Sequence, residues 1–450
     1  MKLVEGRILP LLNSLYKYLI AGLLIFIPLY PKFPLFNVPF TYVAIRAEDF
    51  FIAITFGVLI LKVILEKKIK LPTISPQIAI FLFVGLVSSI SALLITKNVQ
   101  TSLVFFHYSR RIEYILTFFL VYYAAKTESD RRFYYELILL PVVGVFLYGI
   151  AQLYFNAPVI STMDSEASKG LALTLRPGVT LSSTFAGHYD LAVYLSMIMI
   201  FLASIASSTK SWLKRAPIIL GFAILMWLFM QTGSRISSAG LFVAVAIVCY
   251  LYKQYKLGII LLAIIAIGVV TSPQLLSRFK SILNVVKTET SQVIVSPVYA
   301  ATKIASPSAT PTAAPTPTEA LRPIQEDRST SIRFDVEWPR AVRSFMKNPL
   351  LGTGYSSLTL ATDNDYLRAI GETGLLGLLV FLSMFAGLYK ALVCRIKEST
   401  GIDKIIIISC LGILAFFLIT ALFLDVFEAS KIAILFWAFM GLAISIKPHE

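Results

Sequence analysis

The chain has 450 residues, of which 57% are hydrophobic and 14% charged, with a mean hydropathy of +0.79. A soluble domain carries nearer a quarter charged residues, and the apolar runs of about 20 residues here are long enough to cross a hydrocarbon core of about 30 Å. A soluble globular enzyme is excluded, and the lack of strict alternation excludes a barrel.

What remains is an all-α membrane protein, a polytopic bundle of about 12 transmembrane helices. The expected spans lie at roughly 12–30, 42–65, 77–95, 112–126, 134–154, 188–208, 216–231, 236–252, 257–272, 371–393, 404–423 and 429–446. The first run follows Lys2 and Arg7 with no small-residue cleavage site behind it, and is expected to be a span rather than a removed signal peptide. The net charge of +15 does not point to nucleic acid, because the basic residues lie mostly between the apolar runs. There they set topology and meet lipid headgroups, so the bilayer is the first expected partner.

Charge also assigns the sides. Lys67, Lys68 and Lys70, Lys126, Arg131 and Arg132, Lys210, Lys214 and Arg215, Lys253 and Lys256, and Arg395, Lys397 and Lys404 fall on one face. That face is cytoplasmic by the positive-inside rule. The 155–187 loop, the Gln231–Arg235 turn and a large loop between spans 9 and 10 then face outward. The chain divides into a membrane region of about nine spans (1–272), the extracytoplasmic loop (273–370) and a membrane region of about three spans (371–450). Within the loop, 296–319 is a Pro/Thr/Ala-rich tract that cannot build a core and is expected to be disordered. Short helical segments follow it.

The three cysteines, Cys249, Cys394 and Cys410, lie in or beside apolar segments without metal-like spacing and are expected to be small packing residues. Thr101–Arg111 mixes aromatics with His107, Arg110 and Arg111. It fits an interfacial amphipathic helix and a plain basic flank equally well.

Candidate chemistry concentrates in the outward segments. Arg176 precedes Gly187-His188 by the same spacing that separates Arg343 from Gly354. Arginine suits phosphate because its planar fork gives bidentate, charge-assisted hydrogen bonds at any working pH. Headgroup snorkelling is the competing role for each arginine. Thr232-Gly-Ser-Arg235 forms a tight turn in which Gly233 permits the bend, Ser234 caps the next helix, and Arg235 lies beside its N-terminus. Ile332–Met346 is expected to be a helix bent at Pro339, carrying Arg333, Arg340 and Arg343 on its flanks. Asn348-Pro349 ends it, and Gly352 and Gly354 shape the following turn.

Asp363-Asn364-Asp365 has carboxylates two apart, but no second acidic or histidine cluster supports a metal. Asp363 suits a proton acceptor, and Asn364 or Asp365 a helix cap before Glu372. His188 opens span six as a substrate contact or a plain helix-end residue. Walker, Rossmann, zinc and nucleophile-elbow patterns are missing, so no cofactor is expected.

Together these residues resemble the O-antigen ligase/polymerase superfamily of bacterial integral membrane glycosyltransferases. The resemblance rests on Arg176 with Gly187-His188-Tyr189, the Thr-Gly-Ser-Arg turn, and Arg333…Trp338…Ala341…Asn348-Pro349-Leu350-Leu351-Gly352-Thr353-Gly354. Asp363-Asn364-Asp365-Tyr366-Leu367…Glu372-Thr373-Gly374-Leu375-Leu376-Gly377 completes it.

It implies a metal-independent enzyme of the cell membrane. The donor is a glycan on undecaprenyl pyrophosphate at the outer leaflet, and the acceptor is a sugar hydroxyl. Arg176 and Arg343, then Arg333 and Arg235, would hold the pyrophosphate, with His188, Asn364 and Glu372 near the substrate. A chain-length regulator is a further implied partner. Ligases of this family usually carry histidine just before the asparagine at the Asn364 position. Here that place is Asp363, which favours a polymerase with a carboxylate base over a ligase. A ligase or protein O-oligosaccharyltransferase, and a lipid-linked glycan flippase, are the alternatives.

Overall fold

The computed structural model describes residues 2–39, 41, 43–67, 70–160, 172–173, 180–272, 333–358 and 362–447. Arg176 and the 296–319 tract lie outside these residues.

The fold is helical. In chain order α1 covers Lys2–Leu29, α2 Ala47–Glu66, α3 Ser75–Ser91 with a π-helical turn at Ala92–Thr96, and α4 Thr101–Ala124. Then come α5 (Glu128–Leu139), α6 (Pro141–Tyr154), α7 (His188–Ser208), α8 (Trp212–Met230), α9 (Arg235–Leu251) and α10 (Tyr255–Thr271). After residue 332 follow α11 (Trp338–Lys347), α12 (Asp365–Ile396), α13 (Gly401–Thr420) and α14 (Ser430–Ile444). Two short antiparallel ribbons, Pro34–Asn37 with Ala44–Arg46 and Val159–Ile160 with Ala172–Leu173, close loops between helices.

Each expected apolar run falls on one of these helices except 134–154, which is divided between α5 and α6. Among the described residues, seven helical stretches are long and apolar enough to cross a membrane: α1 from Leu9, α3 with its π turn, α5 with α6, α7, α8, α12 and α13. Helices α9, α10 and α14 are apolar but have only 17, 17 and 15 residues. The other two, α2 and α4, carry charges within their length, Glu48, Asp49 and Lys62 in one and Arg110, Arg111 and Glu113 in the other.

The centre of the bundle is α7, whose apolar window is 83% buried, with α13 and α14 packed near it. Peripheral helices keep large apolar side chains exposed, such as Ile54, Phe83 and Ile259. In a bilayer those side chains meet acyl chains, so exposure there carries no penalty. The Thr117 hydroxyl, on the buried face of α4, donates to the Ile434 carbonyl of α14 at 3.1 Å.

The bundle has two chemically distinct ends. At one, the basic loops gather: Lys17 pairs with Asp130 at 2.7 Å, Arg131 with Asp403 at 2.6 Å, and Arg395 donates to the Ile446 carbonyl at 2.6 Å. A reciprocal cap between Thr127 and Asp130 starts α5 there. The opposite end carries the first ribbon, the Gly187 turn, the 231–235 turn, α11 and the 421–429 loop. It holds the residues discussed next.

Candidate active site

The large-loop motif has a structural job that its composition did not reveal. Residues 348–354 and 371–376 exchange hydrogen bonds: Thr353 N to Gly371 O at 3.1 Å, Gly354 N to Glu372 O at 2.7 Å, and Leu375 N to Pro349 O at 2.9 Å. Helix α12 breaks to allow this, with Gly374 at φ 68 and ψ −169. Ser88 of α3 closes the join, its hydroxyl 2.7 Å from the Glu372 carbonyl. The two glycine-containing segments thus form a backbone lock that fixes Glu372 at the top of α12.

Before the lock, Arg333–Glu337 forms a π-helical turn, and α11 then starts with Pro339 in its first turn. The expected bend at Pro339 is instead a helix start, because a first-turn proline forgoes no intrahelical hydrogen bond. Ser234 occupies the N-cap position of α9, but its hydroxyl meets Ser237 at 2.8 Å rather than capping the helix. Gly233 takes the left-handed conformation expected of the turn, at φ 66.

Around the lock lies a network of buried charge. Arg368 bridges Glu372 (3.4 Å) and Asp425 (2.9 Å), and Arg111 of α4 contacts Glu372 (3.5 Å) and Glu428. Asp425 also accepts the backbone amides of Thr362, Asp363 and Asn364 at 2.8, 3.2 and 3.2 Å. Arg333 reaches Asp363 Oδ2 through both Nε (2.9 Å) and Nη2 (2.7 Å), so Oδ1 takes no part in that ion pair. Tyr189 also lies close enough to Arg333 to interact with its guanidinium.

A cavity of about 320 Å³ opens beside these groups, bordered by Lys32, Gly187, Tyr189, Asp190, Asp363, Arg368, Asp425 and Glu428 among others. Lys32 is buried and 3.8 Å from Asp190. Burial lowers it to about 8, against the opposing pull of Asp190. Burial raises the Asp363 carboxyl above its ordinary value, with Asp425 adding to the rise and Arg333 opposing it.

Asp425 goes the other way. Burial alone would raise it, but Arg368 and the backbone amides outweigh that and hold it below the usual carboxylate range. Its stabilising contribution is therefore complete above about pH 4, the unfolded-chain value, and is lost as pH falls through the lower folded value. Asp425→Asn is expected to cost about 3–5 kcal/mol at pH 7, because it leaves Arg368 buried without its closest partner. Thermal unfolding in detergent should show that gap constant from pH 8 to 5 and narrowing only below pH 4.

The expected site residues are placed as follows. Asp363 borders the cavity, and Arg333 stands next to it. Glu372 is buried just behind, between Arg111 and Arg368. His188 follows Gly187 and precedes Tyr189, both of which border the cavity, and its ring lies tilted against that of Tyr189 with the centroids 4.0 Å apart. The Asn364 side chain accepts from Leu367 N at 2.9 Å, capping α12, and donates to Leu422 O at 3.0 Å. Arg235 is buried at the start of α9 on the same end of the bundle. Arg343 is exposed on α11.

Sequence reasoning passed over Arg368, Asp425, Glu428 and Lys32 and left Arg111 undecided. Each is an ionisable residue inside or at the mouth of an apolar span, which is a sufficient signal for a functional hypothesis. No group of three or more His, Cys, Asp or Glu arranged for a metal occurs among the described residues.

Fold and cavity define a polytopic helical membrane protein with a buried arginine–carboxylate site at one end. Residues 220–382 match the family model described as O-Antigen ligase, and it is to that family that this part of the chain is similar. No curated protein matches it.

Proposed function

We propose that this protein is a twelve-pass polymerase of surface polysaccharide, transferring glycan from undecaprenyl pyrophosphate to an acceptor sugar hydroxyl. The observation that carries the reading is the cavity bordered by Lys32, Arg368 and Asp363, at the end of the bundle opposite the basic loops. The positive-inside rule puts that end outside the cell membrane, at the leaflet where a lipid-borne glycan is presented.

In this mechanism the acceptor oxygen attacks the anomeric carbon and its bond to the pyrophosphate oxygen breaks. The departing pyrophosphate keeps the electron pair. Arg333, Arg368 and Lys32 face its growing negative charge, an electrostatic role that requires no metal or cofactor. Arg176 and the exposed Arg343 meet the donor's pyrophosphate as it arrives, and Arg235 and His188 complete its surroundings. Asp363 accepts the hydroxyl proton on the carboxylate oxygen left outside its pair with Arg333, and its raised affinity for protons suits that task. Aspartate at this position, rather than the histidine of ligases, favours chain extension.

The ligase reading is favoured by the description of the matching family. Purified protein given lipid-pyrophosphate-linked repeat units alone distinguishes the two. A polymerase yields a ladder of longer lipid-linked chains; a ligase leaves the repeats unchanged. Arg333→Ala is expected to slow the ladder at least about 100-fold, the effect of removing one preorganised charge from a leaving group. An unchanged rate in that variant would remove Arg333 from the mechanism.

A further inference from the structure

One polar pair near Asp363 and Asp425 takes no part in the proposed transfer. Glu337 and Trp338 sit where the π-helical turn meets α11. Glu337 Oε2 and Trp338 Nε1 are both buried, and neither has a hydrogen-bond partner among the described residues. A buried polar atom that nothing satisfies is destabilising, and two adjacent ones, an acceptor and a donor, call for an explanation.

Their surroundings describe the missing partner. The Trp338 ring lies 4.6 Å from Phe334 and 6.0 Å from Phe423, centroid to centroid. Phe423 immediately precedes Leu424 and Asp425, which border the cavity. Glu337 is flanked by the charges of Asp363 and Asp425 as well as Arg333 and Arg340. Burial first, then Asp363, raises it to about 7.

Carboxylates from three segments thus lie close to one another here, with Arg333 and Arg340 beside them. The pair itself offers one acceptor, one donor and an aromatic face. A neutral ring with an apolar face and peripheral hydroxyls fits it, because aromatic rings pack against the C–H face while a carboxylate and an indole N–H take the hydroxyls.

We propose that Glu337, Trp338 and Phe423 form the subsite that binds the acceptor sugar. This rests on the glycan-transfer reading above and adds to it where the acceptor docks. The subsite presents the sugar beside Asp363, with the donor's pyrophosphate on the cationic side.

Two probes test it with the full chain in nanodiscs: lipid-free oligosaccharide cut from the host's own surface polysaccharide, and undecaprenyl pyrophosphate bearing no sugar. Wild-type protein is expected to bind both. Trp338→Ala and Glu337→Gln should weaken oligosaccharide binding at least tenfold and leave the lipid pyrophosphate unchanged. Trp338→Phe, which keeps one aromatic ring and removes the N–H with the smaller indole ring, should weaken it roughly three- to tenfold, at least the effect of one neutral hydrogen bond; this variant also guards against misfolding of the alanine form.

Wild-type binding of the lipid pyrophosphate but not the oligosaccharide would overturn the subsite and leave the transfer reading standing. Oligosaccharide binding that is unchanged in the variants, or that weakens together with lipid pyrophosphate binding, would also overturn the subsite. Wild-type protein that binds neither probe would overturn the transfer reading itself, and the subsite with it.

Discussion

Replacing Arg368 with alanine is expected to abolish glycan transfer, with a rate loss of at least about 100- to 1,000-fold in purified protein. Arg368 is the cation that joins the cavity to the buried network. Its guanidinium meets Asp425 at 2.9 Å and Glu372 at 3.4 Å and borders the cavity itself. Removal takes a positive charge from the leaving group and also leaves two carboxylates buried without their nearest common partner. The second effect costs about 3–5 kcal/mol of stability, so rate and folding must be read separately. Arg368→Lys separates them. It keeps the charge that Asp425 requires but loses the planar fork, so it should recover most of the stability and much less of the rate. Wild-type rates in Arg368→Ala protein that remains folded would contradict the assignment.

Gly374→Ala is expected to be strongly destabilising. Gly374 adopts φ 68 and ψ −169, a region essentially reserved for glycine. An added Cβ would also stand 2.4 Å from the carbonyl carbon and oxygen of Leu350. Strain and overlap together should cost about 3 kcal/mol or more. The lock would open, and with it the alignment of Gly354 N on the Glu372 carbonyl. Gly57→Ala is the matched control, because it lies in a helix and nothing stands within 4 Å of the added carbon. Thermal unfolding of the two variants should therefore diverge, Gly374→Ala falling by many degrees and Gly57→Ala staying near wild type. Equal midpoints would show that the lock does not hold the N-terminal part of α12.

These two residues also show what could and could not be taken from the sequence. The helical bundle was legible because the apolar runs declare themselves one at a time. His188–Ser208 was located to the residue, since its polar flanks are sharp. The motif around Gly352–Gly354 and Glu372–Gly374 was visible as a motif, but its role was not. Two glycines with positive φ must be seen facing each other before they can be recognised as a lock.

Arg368, in the first turn of α12, and Asp425, in the loop after α13, are 57 positions apart. Nothing local connects them, and Arg368 with Glu372 looks like an ordinary i,i+4 helix pair. Asn364 was legible as a cap because that chemistry is local, and Leu367 N bears it out. Arg111 stood in a segment that mixed aromatics with basic residues. Only its approach to Glu428 and Glu372 tells a site residue from an interfacial flank.

The central claim is that this site extends glycan chains on a lipid carrier. The most direct measurement is a gel profile of lipid-linked and surface glycans from host cells lacking this gene, complemented with wild-type or Arg368→Ala protein. The account predicts single repeat units on lipid in the deletion strain and in the Arg368→Ala strain, and full-length polymer restored by wild type. Full-length polymer accumulating on lipid in the deletion strain would contradict it and make the protein a ligase.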